Sequence, residues 1–236
     1  MQPSPAMPKK IIALVPAAGR GARFGEALPK QYQDVNGLPM IYHSLAALAR
    51  VKRIDKLVVI LAPGDAHWQQ FDWSALSGKL EVSHCGGETR AQSVSNALES
   101  LATVVAEDDW IMVHDAARPC IRAELIEQFL DELQRDAIGG LLALPLSDTV
   151  KEASPSLRVA RTVPREGLWR AQTPQMFGFG MLREALRKMP HASDDAQAIE
   201  ALGQSPKLVM GESANLKVTF AADMTLARLL LKGDKT

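Results

Sequence analysis

A glycine-rich stretch with several positive charges follows the first apolar run of the sequence. This stretch, LVPAAGRGARFGEALPKQY (residues 14–32), begins like a strand and continues with glycines, Arg23 and Lys30. Glycines after a strand let the backbone turn tightly, so that N–H groups point at bound oxygen atoms. The positive charges of Arg23 and Lys30 then suit a bound phosphate group. The spacing fits neither a G-x-G-x-x-G dinucleotide fingerprint, whose third glycine is replaced by Phe24, nor a P-loop. An anionic ligand is indicated, with an ordinary strand-to-helix turn as the alternative.

A second glycine motif, GGETRAQSV (residues 86–94), precedes a predicted helix. Its two glycines again free the backbone, and Thr89 or Glu88 is expected to cap the helix. Ser93 lies where it would reach toward a nucleobase. A purely structural Gly-Gly turn is the alternative.

A carboxylate ends another apolar run, in VHDAARPC (residues 113–120). Asp115 is predicted at the carboxyl end of a strand, where open α/β sheets bind their ligands. A carboxylate at this place suits Mg²⁺, which prefers oxygen ligands and reaches others through phosphates. Arg118 adds positive charge on the same edge. The alternative is a structural Asp–Arg pair that closes a loop.

Apolar strands alternate with amphipathic helices along most of the chain, which predicts a doubly wound α/β fold with a mostly parallel sheet. Residues 146–172 interrupt this alternation with a polar, two-stranded pattern that has little surface to bury by itself. We expect one domain over residues 1–236, with an arm at about 146–172. Strands are predicted at 11–15, 56–62, 80–83, 110–114, 139–145 and 207–210, and helices near 39–50, 89–102, 122–135, 178–189, 194–203 and 221–232.

Composition excludes several classes of protein. The chain has 236 residues, 47% of them hydrophobic, and a formal net charge of zero. The absence of a basic excess argues against nucleic-acid binding. Two distant cysteines, Cys85 and Cys120, argue against a disulfide scaffold and favour a reducing cytoplasm. No apolar run approaches the roughly 18 residues that a membrane span needs.

Five motifs in one order carry a family resemblance: PAAGRGARFGEALPKQY, GGETRAQSV, VHDAARP, GLWRAQTPQ and NLKVT. Together they resemble the 2-C-methyl-D-erythritol 4-phosphate cytidylyltransferases of the non-mevalonate isoprenoid pathway, over residues 11 to 230. The resemblance implies a Rossmann-like nucleotidyltransferase fold. It also implies transfer of CMP from CTP to methylerythritol 4-phosphate, which gives 4-diphosphocytidyl-2-C-methyl-D-erythritol and pyrophosphate.

The resemblance also implies roles for individual residues. The catalytic residues would be Arg23, Lys30, Arg165 and Lys217, and Asp115 would lie beside Mg²⁺. The CTP-binding residues would be Ala17, Ala18, Gly19, Gly21, Gly87, Glu88, Ser93, Asp115 and Ala116. The sugar-alcohol phosphate would contact Asp115, Arg118, Thr149, Arg165, Thr173, Ser193 and Lys217. A homodimer is implied, in which the arm, with Thr149 and Arg165, completes the partner's site.

The sequence departs from the usual family pattern on the acceptor side. Pro164 precedes Arg165 where an acidic residue is expected, and Ser193 stands where threonine is more usual. Ribitol 5-phosphate or another polyol phosphate is therefore the alternative acceptor. A non-catalytic nucleotide-binding protein is the alternative of another class. A nicotinamide-dependent oxidoreductase is disfavoured by the misplaced third glycine.

The proposed chemistry explains the absence of a nucleophile–histidine pattern. A phosphomonoester has a second pKa of about 6, so its oxygen is already a nucleophile near neutral pH. Catalysis then rests on positioning and charge. The histidines are expected to be structural or solvent-facing, and His114 should support packing from the face of its strand opposite Asp115.

Overall fold

A mixed sheet with helices on both faces is the centre of the molecule. The structure is a computed structural model in which residues 9–19 and 28–233 are described. The strands in these ranges are β1 (Ile11–Pro16), β2 (Asp34–Val35), β3 (Leu38–Pro39), β4 (Lys56–Ile60), β5 (Leu80–Ser83), β6 (Trp110–Val113), β7 (Gly139–Pro145), β8 (Val150–Ala153), β9 (Val159–Val163), β10 (Trp169–Gly178) and β11 (Lys207–Met210). The helices are α1 (Met40–Arg50), α2 (Arg90–Leu101), α3 (Ala123–Leu133), α4 (Phe179–Lys188), α5 (Asp195–Glu200) and α6 (Ala221–Gly233).

The main sheet has seven strands in the order β11-β7-β10-β6-β1-β4-β5. Strand β1 pairs in parallel with β4 and β6, β4 with β5, and β7 with β11. Strand β10 is antiparallel to both of its neighbours, β6 and β7. The predicted doubly wound α/β fold with a mostly parallel sheet is therefore confirmed.

Both faces of the sheet are buried, which explains the continuous apolar runs. Along β1, Ala13 and Val15 belong to one core cluster, which includes residues of α1 and α3. Ile12 and Leu14 belong to the opposite cluster, which includes residues of α2 and α4. Because successive strand side chains point to opposite faces, a strand covered on both sides has no polar alternation.

The predicted helices are confirmed, with ends that differ by at most three residues. Helix α2 begins where expected because the Thr89 hydroxyl accepts a hydrogen bond from Gln92 N at 3.0 Å. In α3, Leu125, Phe129 and Leu133 recur at helical spacing and are buried against the sheet. These two helices follow β5 and β6, and their amino ends therefore face the carboxyl edge of the sheet.

One strand in the middle of the sheet was missed by the sequence analysis. Strand β10 lies between β6 and β7, whereas its first residues were assigned to the arm and the remainder to no element. The reason is that Gln172, Thr173 and Gln175 are polar but buried. Their polarity breaks the apolar pattern by which buried strands are recognised.

Strands β8 and β9 form a separate antiparallel pair, as expected for the excursion. Most of their residues are exposed to solvent. The structured part of the excursion is shorter than residues 146–172, because β10 already begins at Trp169. Assembly through this arm, and a single domain over the whole chain, stay predictions.

Across residues 9–19 and 28–233, none of the helices combines the length and the apolar character that a membrane crossing would require.

Candidate active site

A cleft of about 310 Å³ opens at the carboxyl edge of the sheet, beside the ends of β1 and β6. Backbone of the first glycine-rich stretch forms one wall, and the start of α2 forms another. The lining residues are Pro16, Ala17, Ala18, Gly19, Lys30, Gln31, Met40, Gly87, Glu88, Thr89, Arg90, Ser93, Asp115, Ala116, Ala117 and Lys217. The predicted ligand edge of the sheet is therefore the edge at which the cleft lies.

Asp115 lies in this cleft among three cationic side chains. Its Oδ1 accepts a hydrogen bond from Arg90 Nε at 2.9 Å, and its Oδ2 lies 2.7 Å from Lys217 Nζ. Arg118 Nε is 4.0 Å from the same Oδ2. The carboxylate side chain is 9% exposed, whereas the Lys217 side chain is 46% exposed. Lys217 is therefore the partner with room to turn toward a ligand.

The charge of Asp115 is fixed by these neighbours. Burial alone would raise its pKa, but Arg90 and Lys217, with a smaller effect of Arg118, outweigh burial and lower the pKa far below the usual range. Burial conversely lowers the pKa of Arg118. Asp115 is thus an anion, and its negative charge is already neutralised inside the cleft.

Arg90 joins Asp115 to a second carboxylate. Its Nη2 lies 2.7 Å from Asp195 Oδ2, at the first residue of α5. Asp195 is completely buried, and burial raises its pKa although Arg90 opposes this effect. For Arg90, burial is likewise the largest influence, but the two carboxylates outweigh it and raise the pKa. A charged network therefore runs from the cleft wall to α5.

Lys217 lies in a loop without regular secondary structure. Hydrogen bonds hold this loop against the rest of the site. Lys30 Nζ donates to Val218 O at 2.7 Å, and Val218 N donates to Ala117 O at 2.8 Å. Arg118 is buried, and its Nη1 donates to Asn215 O at 2.7 Å. Lys30 and Arg118 thus hold both ends of the segment that presents Lys217.

The backbone loops of the cleft approach each other closely. A Cβ on Gly86 would lie 2.3 Å from the Ala18 Cβ and 2.7 Å from Leu61 O, so only glycine fits there. Gly87 N donates to Ser93 Oγ at 3.0 Å. The second glycine motif is therefore packed directly against the first, and Ser93 holds its turn in place.

Beneath the cleft, His114 supports the same residues from the core. It is fully buried, with Nδ1 3.1 Å from Thr173 Oγ1 and Nε2 3.3 Å from Arg118 O. Thr173 Oγ1 also accepts a hydrogen bond from Asp115 N at 3.0 Å. The expected structural role of His114 agrees with these contacts.

Comparisons with known proteins identify the family. The profile of the family 2-C-methyl-D-erythritol 4-phosphate cytidylyltransferase matches residues 11–233. The chain belongs to this family. The predicted resemblance is therefore confirmed.

Relatives of this cytidylyltransferase family match along nearly their whole length. The 2-C-methyl-D-erythritol 4-phosphate cytidylyltransferase of Dechloromonas aromatica is 54% identical over 223 residues, covering 94% of this chain and 98% of the relative. That of Nitrosospira multiformis is 49% identical over 231 residues, covering 96% and 100%.

Solved structures agree with the family assignment. A crystal structure of 4-diphosphocytidyl-2C-methyl-D-erythritol synthase superposes with a TM-score of 0.84 at 36% identity, covering 95% of this chain and 100% of that one. The cytidylyltransferase of Thermus thermophilus gives a TM-score of 0.76 at 32% identity, covering 94% and 99%.

The structure brings many of the residues predicted from the cytidylyltransferase resemblance to one cleft. Gly21 and Arg23 lie outside the described residues. Thr149 and Arg165 are exposed near the arm, and Ser193 is exposed just before α5. Those that line the cleft are Ala17, Ala18, Gly19, Lys30, Gly87, Glu88, Ser93, Asp115, Ala116 and Lys217. Arg118 and Thr173 lie directly behind Asp115.

Three polar residues of the site were missed by the sequence analysis. Arg90 lies inside the second glycine motif. Its position in the first turn of a helix that follows a glycine turn could have indicated that it faces the cleft. Gln31 is buried, and its Nε2 donates to Ala17 O at 2.7 Å, which fixes the first wall of the cleft. Asp195 lies two residues after Ser193 in the helix start SDDA (residues 193–196), but nothing in the sequence indicated its contact with Arg90.

Proposed function

We propose that this protein transfers CMP from CTP to 2-C-methyl-D-erythritol 4-phosphate, with release of pyrophosphate. Membership of the cytidylyltransferase family over residues 11–233 supports the reaction. The observation that carries it in the structure is a glycine-lined cleft in which Asp115 is neutralised by Arg90 and Lys217. The protein is therefore a nucleotidyltransferase that makes 4-diphosphocytidyl-2-C-methyl-D-erythritol in the non-mevalonate pathway.

The principal obstacle to this reaction is repulsion between two anionic substrates. Two unit charges about 4 Å apart repel by roughly 4 kcal/mol at an effective dielectric constant near 20, and several such pairs meet here. Lys30 and Lys217 bring positive charge to the cleft, while Arg90 keeps Asp115 from adding negative charge. We assign stabilisation of the phosphates to these side chains, together with Arg23 of the first motif.

The chemical step is an in-line displacement at phosphorus. An oxygen of the acceptor phosphate forms a bond to the α-phosphorus of CTP, while the bond from that phosphorus to the bridging oxygen breaks. The electron pair leaves with pyrophosphate. The acceptor is already mostly dianionic near pH 7 because its second pKa is about 6, so no side chain need remove a proton.

Asp115 can bind a divalent ion through its Oδ2 once Lys217 turns away from that oxygen. It lines the cleft and is held ionised by its neighbours. Mg²⁺ usually keeps several water and phosphate ligands, so one carboxylate from the protein is enough. We propose Mg²⁺ here. When bound, it would offset phosphate charge and orient the phosphate oxygens.

The arm is proposed to act on a second subunit. Strands β8 and β9 are mostly exposed and pair only with each other among the described strands. A two-stranded ribbon with so little buried surface is marginal by itself. A homodimer in which Thr149 and Arg165 reach the partner's acceptor phosphate would give the arm both support and a role.

A reducing cytoplasm is the proposed location. Within the described residues, Cys85 and Cys120 form no disulfide bond, which supports this location.

Pyrophosphate release tests the proposed function. Purified protein with CTP and Mg²⁺ is assayed with methylerythritol 4-phosphate and, separately, with ribitol 5-phosphate. A kcat/KM at least about 10²-fold higher for the first acceptor is expected. Preference for ribitol 5-phosphate would overturn the acceptor, and no turnover with either would overturn the enzyme assignment. Full activity in EDTA would overturn the role given to Mg²⁺.

A further inference from the structure

Arg90 shares one edge of its guanidinium group between two buried carboxylates. Its Nε donates to Asp115 Oδ1 at 2.9 Å, and its Nη2 donates to Asp195 Oδ2 at 2.7 Å. Asp115 faces the cleft, whereas Asp195 is 0% exposed and lies outside it. The arrangement therefore joins a ligand-facing carboxylate to one that no ligand in the cleft can touch.

Other arginines of the same chain use this edge differently. Arg187 places Nε and Nη2 on the two oxygens of Glu99, each at 3.0 Å. Arg122 likewise places both nitrogens on the two oxygens of Glu212. This two-bond arrangement on a single carboxylate is the usual strong form of an Arg–carboxylate pair. Arg90 is prevented from adopting it with Asp115 because Asp195 occupies Nη2.

The second oxygen of Asp115 is the one that matters for the cleft. Because Arg90 contacts only Oδ1, Oδ2 is left to Lys217, whose Nζ lies 2.7 Å away. Lys217 has a half-exposed side chain and can be displaced by a ligand, whereas Arg90 is held at both ends. Two bonds from Arg90 would instead occupy both oxygens.

The burial of the Asp195 carboxylate is poorly explained by a contribution to the stability of the fold. Among the described residues, no hydrogen-bond partner lies within reach of its Oδ1, although the side chain is completely buried. Buried ion pairs are weak contributors to stability, and an orphaned buried oxygen is costly. A carboxylate kept in such a place therefore points to a function in orienting its partner.

We propose that Asp195 and Arg90 are a positioning pair for Asp115. Asp195 draws Nη2 away, so that Arg90 engages Oδ1 alone and leaves Oδ2 open to the bound substrates or their divalent ion. The role of that open oxygen in turnover rests on the proposed function. The geometry of the pair can be tested without it.

The first test is a crystal structure of the Asp195→Asn variant, whose activity is also measured. A neutral amide accepts a weaker hydrogen bond than a carboxylate, so Arg90 should turn and place both Nε and Nη2 on Asp115. The expected result is Arg90 Nη2 within hydrogen-bond distance of Asp115 Oδ2, with Lys217 displaced. An Arg90 that stays divided between residues 115 and 195 would overturn the proposal.

Turnover provides the second test. Asp195→Asn should lower kcat/KM for methylerythritol 4-phosphate about tenfold, and Asp195→Glu, which keeps the charge, should stay within about threefold of wild type. Adding Arg90→Lys to Asp195→Asn should recover activity, because lysine is a point donor that cannot take both oxygens. A purely structural role predicts that the double variant is worse, and that result would overturn the proposal.

The neighbouring Asp194 provides the matched control. It caps the same end of α5 through Gln197 N and accepts a hydrogen bond from Gln175, whereas Arg90 donates to Asp195. Asp194→Asn should change thermal stability and leave kcat/KM within about threefold. Wild-type protein that turns over neither acceptor would refute the proposed function, and the Asp195→Asn crystal structure would then still decide whether Asp195 positions Arg90.

Discussion

Lys217 Nζ lies 2.7 Å from Asp115 Oδ2, and the two side chains differ sharply in exposure, 46% against 9%. The pair joins a loop near the carboxyl end of the chain to the end of a central strand. Arg90, which Asp115 shares with Asp195, and Arg118 remain beside Asp115 when Lys217 leaves. We therefore predict that Lys217 can turn from Asp115 toward a bound phosphate.

Removal of the Lys217 charge should mainly affect catalysis. Lys217→Met is expected to lower kcat/KM for methylerythritol 4-phosphate by about 10²-fold, because the ammonium group no longer meets phosphate charge. Lys207→Met is the matched control, since Lys207 pairs with Glu132 on the surface at 2.7 Å. Steady-state pyrophosphate release measures both. Loss of less than about threefold in Lys217→Met would remove this residue from the catalytic set.

Lys30 is expected to act on the reaction beyond its contact with Val218. Lys30→Ala should lower kcat by about 10²-fold, since its charge lines the cleft beside the first glycine motif. Lys79→Ala is the control, because Lys79 Nζ also donates to a backbone carbonyl, Val51 O, at 2.9 Å. If Lys30 merely anchored the Lys217 loop, KM for the acceptor would rise and kcat would stay near wild type.

Buried His114 should make the protein less stable in mild acid. Burial is the main cause that lowers its pKa from 6.5 to about 4. Between pH 6.5 and 4, His114 therefore binds a proton in the unfolded chain but not in the folded chain. The free energy of unfolding thus falls as the pH drops from 6.5 toward 4. Between pH 6.5 and 5 the free energy of unfolding should decrease by about 2 kcal/mol from this residue.

Urea unfolding of wild type and His114→Gln at pH 7 and pH 5 measures this effect. The variant should lose less stability between the two pH values, whatever its stability at pH 7. Burial also lowers the pKa of His43, which therefore contributes in the same direction to both proteins. His191→Gln, at an exposed position, is the control. Equal pH dependence in wild type and His114→Gln would contradict the assignment.

The sequence predicted the fold well wherever burial leaves an apolar pattern. The runs at 11–15, 80–83, 139–145 and 207–210 are strands in the structure with ends shifted by at most one residue. Strand β10 was missed because its inner residues serve the site and are polar, with Gln172 bonded to the Lys217 loop and Thr173 to Asp115. These buried polar contacts removed the apolar pattern by which a buried strand is recognised.

The site was predictable to the extent that its residues lie in glycine motifs after strands. Asp115 and Lys30 follow from chemistry at the carboxyl edge of a sheet. Lys217 followed from the family resemblance, since its loop has no pattern of its own. The Arg90–Asp195 contact was not predictable, because its partners come from separate elements and only the folded chain brings them together. A contact between residues of two separate elements leaves no local trace in a sequence.

The arm prediction can be tested by mixing two inactive variants. In Lys30→Ala the cleft is impaired and the arm intact, whereas in Arg165→Ala the reverse holds. If Arg165 acts in the partner's site, each heterodimer regains one complete site, so random exchange should restore about a quarter of wild-type activity in a symmetric dimer. Subunit exchange is verified with two affinity tags, and pyrophosphate release is the measurement.

Arg161→Ala is the control, since Arg161 is an exposed arm residue paired with Glu152 within its own ribbon. That variant should be active alone, and an Arg165→Ala mixture that stays inactive after confirmed exchange would show that the arm serves its own subunit or none.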